Sequence, residues 1–207
     1  MGDLLRRRAM MLGTSEPPPT PAQPEYATAD ETVGITTSMM LPANCVILYE
    51  LWFVPQDNGQ WTSVGHWNGF LGFEKRNGNA YVFNRNATGT RSYCNVTWTA
   101  GAGEVWTALE ASVASDRKVT IARYNAAGEK KTGNTSSAAA TPSSPFTVYF
   151  LPGNYVKRIS LVDNATGNYV NDIRVTTHNG VVCLHDIITD EYFYEANNSI
   201  YLANPPS

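Results

Sequence analysis

Three histidines, His66, His178 and His185, and a scatter of carboxylates are the side chains of this sequence that could carry acid–base or metal chemistry. The His185-Asp186 pair near His178 suggests a metal site, but close Cys/His ligand spacing of the zinc type is absent. Retaining glycosidases on β-sandwiches need two carboxyl groups about 5–5.5 Å apart, supplied by an alternation such as Glu-x-Asp-x-x-x-Glu on one strand. Glu50, Glu74, Glu104 and Glu110 instead stand in separate runs. No Gly-x-Ser-x-Gly elbow and no Cys/His pair in a nucleophile context occurs. The expectation is a protein without catalytic residues, metal or cofactor. Asp57 and Asn58 share a loop without an EF-hand-like array, so calcium is not implied either.

Binding chemistry is better represented. Five tryptophans and eleven tyrosines supply flat apolar rings that either stack on sugars or fill sandwich cores. Trp52, Trp98 and Trp106 lie inside apolar runs and read as core. Trp61 and Trp67 flank a turn region from Gln56 to Gly69 with polar neighbours. With His66 and Asn68 as hydrogen-bonding partners, they form the candidate carbohydrate-binding group.

The elements that must position these residues are strands. Asn44 to Val54 is apolar on both phases, as expected of a central strand covered on both faces. Asn77-Gly78 between Phe70–Glu74 and Ala80–Asn84 is a strong hairpin signal. Further strands are expected at Gln60–His66, Arg91–Trp98, Glu104–Val113, Lys118–Tyr124 and Phe146–Phe150. A closing series from Val156 to Tyr194 is broken by turns at Asp163–Gly167, His178–Gly180 and Thr189-Asp190. The Asn125–Gly128 turn should fold its strand back, and the Ser/Ala/Thr-rich stretch from Gly128 to Pro145 reads as a long surface loop. About a dozen short strands in a chain of 207 residues with 43% apolar content imply one all-β domain, a two-sheet antiparallel sandwich of jelly-roll topology. Cys45, Cys94 and Cys183 are odd in number and widely spaced, and read as reduced, packed side chains. A net charge of −3 gives no basic stripe for nucleic acid, and no apolar run reaches the roughly 18 residues of a membrane span.

The N-terminus is a different polymer. Residues 1–13 combine Leu4, Leu5 and Met11 with Arg6, Arg7 and Arg8, and read as a docking peptide. It lacks the apolar core of a secretory signal, and Arg6 stands where a myristoylation pattern needs Ser or Thr. Residues 14–30 hold five prolines and read as an extended, polyproline-like linker. The sandwich is then expected over residues 31–207.

The wording of the C-terminal strands resembles a known family. Ile159–Asp163, Val170-Asn171-Asp172, Gly180–Asp186 and Tyr192-Phe193-Tyr194, together with Thr147–Asn154, are similar to the closing hairpins of concanavalin A-like or laminin-G-like jelly rolls in gut bacteriophage tail, fibre and head-decoration proteins. This chain departs from the pattern where Ile173 to Thr176 lack a proline after Asp172, and where Cys183 and His185 replace a glycine and a tyrosine. The resemblance implies that Asp186 ends a strand and that His185 packs, so neither is chemical. It further implies a virion structural protein, made in the bacterial cytoplasm and docked to other virion proteins by its N-terminal arm. Such a protein would be assembled as a homo-oligomer and would display a lectin-like domain to host-surface glycans. A bacterial carbohydrate-binding module and a jelly-roll glycan hydrolase are the rival expectations.

Overall fold

The computed structural model describes residues 25–53, 62–67, 71–76, 79–85, 90–97, 105–138 and 141–206. Among them lie sixteen strands, all paired antiparallel, in two sheets. The smaller sheet has six: β2 (Val33–Thr36), β4 (Thr62–Trp67), β5 (Leu71–Arg76), β6 (Asn79–Arg85), β7 (Arg91–Thr97) and β11 (Thr147–Phe150), in the order β2-β11-β4-β5-β6-β7. The larger runs β10-β9-β8-β3-β12-β13-β14-β15. Its members are β3 (Cys45–Phe53), β8 (Trp106–Val113), β9 (Lys118–Asn125), β10 (Lys130–Ala138), β12 (Asn154–Asp163), β13 (Tyr169–His178), β14 (Val181–Asp186) and β15 (Glu191–Phe193). Two short strands, β1 (Ala27–Ala29) and β16 (Ile200–Leu202), pair with each other and join the large sheet through β12. The expected all-β, two-sheet antiparallel sandwich is what the chain forms.

Alternation decides which side chains meet between the sheets. Cys45, Ile47, Tyr49 and Leu51 of β3 are fully buried, and the intervening Val46, Leu48, Glu50 and Trp52 lie on the outer face, only half-buried. The central strand is therefore covered on one face, not two. Tyr49 ties the layers together. Its ring meets Phe73 and Phe146 edge-on at 5.8 and 6.3 Å, and its hydroxyl donates to the Val64 carbonyl of the opposite sheet at 2.8 Å.

Turn residues behave as their chemistry dictates. Asn179 and Gly180 both adopt positive φ (52° and 80°), the requirement of a type I′ hairpin between β13 and β14. Asp163 caps the β12–β13 turn, its Oδ1 accepting the Ala165 and Thr166 amides, and β5 and β6 pair across the Asn77-Gly78 position.

Two boundaries differ from expectation. The stretch read as a loop contains β10, paired with β9 from Lys130↔Tyr124 to Ala138↔Lys118 with two register shifts. Its Ser/Thr composition suits an edge strand held by its partner's backbone and by a Thr120–Thr135 hydroxyl contact of 2.7 Å, and it carries no apolar period to announce it. The sheet also begins before residue 31: β1 belongs to the stretch read as linker, because Ala27, Thr28 and Ala29 follow the last proline and can donate to a ladder.

All three cysteines are free and buried. Burial pushes the Cys45 and Cys94 thiols up to about 12 and raises Cys183 as well. Iodoacetamide is thus expected to label none of the three in the folded protein and all of them after urea unfolding, as read by mass spectrometry.

Candidate functional site

Of the residues expected to bind sugar, the structure describes two, His66 and Trp67. Trp61 and Asn68 lie outside the described residues, as do Leu4, Leu5, Arg6, Arg7, Arg8 and Met11 of the docking peptide. Trp67 is fully buried, its ring 4.4 Å from Phe146 and its indole N–H donating to the Met39 carbonyl at 2.9 Å. It cannot stack on a ligand. His66 precedes it on β4 and so points to the other face, where Nε2 meets the Tyr149 hydroxyl at 2.9 Å. Burial lowers the His66 pKa, outweighing a backbone hydrogen bond that favours the charged ring. Trp52, read as core, lies instead on the outer face of the large sheet, edge-on to Tyr155 at 5.4 Å.

The closing hairpins are structural in detail. Asp186 is fully buried and accepts from Asn171 Nδ2 (2.6 Å), the Asp172 amide (3.1 Å) and the Ile188 amide (3.0 Å), clamping β13 to the β14 turn. His185 lies flat on Tyr192, 4.1 Å away and 2° from parallel, with Nε2 on Asp190 at 2.9 Å. His178 stacks on the same ring and bonds the Tyr194 hydroxyl. Among the described residues no group of three or more His, Cys, Asp or Glu side chains could hold a metal ion.

A site does form on the outer face of the large sheet, where that sheet forks. The N-terminal end of β12 pairs with β3 and, through Val156, with Ala27 of β1; from Arg158 onward its free side pairs with β13. Lys157 occupies the bulge at the fork. A bulge bends the strand and re-aims its side chains, and here it opens a depression of about 500 Å³ lined by Glu25, Glu50, Lys157, Arg158, Arg174 and Thr176 among others. A second depression of about 380 Å³ adjoins it, lined by Tyr26, Leu48, Glu50, Thr107 and Tyr124. Glu50 lines both, so the two depressions lie side by side across the strands, and together they are the groove referred to below.

The fork end is a charge lattice. Arg158 sits opposite Glu50 on β3 and Arg174 on β13. Asp172 lies between the guanidiniums, taking Arg158 Nε at 2.5 Å and Nη2 at 3.0 Å, and Arg174 Nη2 at 2.7 Å. Glu50 Oε1 takes Arg158 Nη1 at 3.2 Å. Burial would raise the Asp172 pKa, but hydrogen bonds from Arg174 and Arg158 outweigh it and hold the carboxyl below the usual range. The Asp172 contact likewise strengthens the proton hold of Arg158. At the other end Tyr124 donates to Glu110 at 2.6 Å, and Lys130 bridges the same carboxylate at 2.8 Å. The rings of Tyr26 and Tyr124 are half-buried, with Lys157 Nζ and Lys130 Nζ each 5.6 Å from their centroids, and they stand beside these fixed donors and acceptors, the combination that recognition of a hydroxyl-rich ligand uses.

Sequence reasoning missed this groove because its walls come from strands far apart in the chain. One local signal was present: the Lys157-Arg158 doublet interrupts the alternation of β12, as a bulge demands.

No family model matches the chain, and no curated protein matches it. Among solved structures, a crystal structure of an HCR/D mutant is similar, with a TM-score of 0.48 and 8% identity over 76% of this chain and 52% of that one. The chain thus spans about half the length of that structure.

Proposed function

We propose that this chain is a bacteriophage virion structural protein that docks through its N-terminal segment and displays the sandwich for adhesion to host-surface glycans. The groove across the outer face of the large sheet carries the adhesion reading. It combines ligand-sized volume, the aromatic rings of Tyr26 and Tyr124, and pre-paired charges around Glu50. Trp67, sealed in the core, does not contribute to this surface. The virion setting is supported by the resemblance of the closing hairpins and by the arginine-rich opening peptide on its proline spacer. Symmetric assembly with other copies belongs to the same proposal.

The full chain is expected to bind a subset of a glycan array without releasing reducing ends. Tyr124→Ala should weaken the best binders about tenfold through loss of a stacking face. Release of reducing sugar would favour a hydrolase. Labelling of particles by an antibody to the domain, lost on removal of residues 1–24, tests the virion role. Absence from every particle would leave a bacterial carbohydrate-binding module as the better reading.

A further inference from the structure

Among the described residues, Glu25 and Tyr26 bring the chain leading into β1 against the groove, and Lys157 meets both. Glu25, the first described residue, places its carboxylate 2.5 Å from Lys157 Nζ, and both line the fork depression. The Glu25 side chain is 67% exposed and that of Lys157 34%. An ion pair this open is weak and exchanges readily with another anion. Lys157 pulls the Glu25 carboxyl below its usual range, as a bound anion at this position would be. With Glu25 in place, Lys157, Arg158 and Arg174 face the carboxylates of Glu25, Glu50 and Asp172. With Glu25 withdrawn, three cations face two carboxylates, and one anion is missing. The half-exposed Arg174 turns Nε and Nη2 to Asp172, so its Nη1 is the edge left to reach a ligand.

We infer that Glu25 stands in for a ligand carboxylate, and that the groove takes an acidic saccharide whose carboxylate displaces Glu25 from Lys157 while its sugar rings cross Glu50 toward Tyr124. This inference rests on the groove being the glycan site. Thr176, on the wall beside Arg174, adds a hydroxyl suited to the same ring. Neutral saccharides gain nothing from the exchange, so the fork selects for charge. The attraction weakens as salt screens it.

An array of carboxylate-bearing and neutral glycans, probed with the full chain and its variants, tests this. The strongest spots should carry a carboxylate. Lys157→Met should lower their signal about tenfold, and Lys157→Arg should retain it. Titration of the strongest acidic glycan should show Glu25→Gln binding about threefold to fivefold more tightly than the parent, because the internal competitor is gone. A thermal melt matching the parent confirms that each variant is folded. Hits confined to neutral glycans, or an acidic affinity unmoved by Glu25→Gln and Lys157→Met, would overturn the inference and leave glycan adhesion standing. An array without any hit would overturn both.

Discussion

Asp172→Ala is expected to lower folding stability by about 3 kcal/mol, read as a lower urea midpoint with an unchanged slope. The side chain is only 4% exposed and receives two guanidiniums. Its removal leaves Arg158 and Arg174 directly opposite one another on adjacent strands, a like-charge pair without its shared counter-ion. Arg158 retains Glu50, and Arg174 is half-exposed to water, so the loss stays at the lower end of what breaking a buried pair costs. The pH dependence has a definite sign. The folded carboxyl titrates below its unfolded value of about 3.9, so its contribution is complete above that value and disappears as pH falls through the lower folded one. The gap between parent and Asp172→Asn melting temperatures should therefore be constant near neutrality and close in acid. A gap that instead widened in acid would mean that the carboxyl is not held ionised by the arginines.

Gly133→Ala should cost a similar amount, about 3 kcal/mol, for a steric reason. β10 and β7 are the edges of opposite sheets, and they meet closely enough for the Asn134 side chain to accept the Asn95 amide at 2.6 Å. A Cβ on Gly133 would lie 2.1 Å from the Asn95 carbonyl oxygen, and a backbone oxygen cannot rotate aside. The sandwich must open along that edge. Hydrogen exchange should report it as lost protection at Asn95 and along β10, with Lys131→Ala on the exposed part of the same strand as a silent control. Gly65 presents the same problem inside the core, where a Cβ would meet the Phe146 ring at 2.4 Å. There a side chain can shift part of the way, so a smaller loss is expected. Unchanged exchange at Asn95 in Gly133→Ala would rule out the closed edge.

These two sites differ in how far the sequence announces them. Neither the Arg158–Glu50 pair nor the Gly133 contact can be read locally, because each joins strands far apart in the chain, whereas Asp172 meets Arg158 across the β12–β13 hairpin and Arg174 two residues along its own strand. Hairpins are another matter. Asn179-Gly180, Asp163–Gly167 and the Asp190 turn each contain a residue with positive φ, and the chemistry that permits it is written in the residue types. Trp52, read as core from its apolar run, lies on the outer face, and Trp67, read as flanking a turn region, is sealed inside. Both tryptophans lie in strands where neither phase is clearly polar, so composition could not say which face was inside, and a bulge between Ser63 and Gly65 shifts the phase of β4 besides.

The sequence by itself determined the all-β class, most of the strands, the turn geometry and the buried state of the cysteines. Alternation and turn chemistry act over a few residues and need no partner. Only the tertiary structure decided which face of β3 would be covered, that a Ser/Thr-rich stretch becomes the edge strand β10, and that Glu25 of the arm's root reaches Lys157 in a forked sheet. Strand pairing over long separations sets those outcomes, and it depends on the summed fit of both sheets.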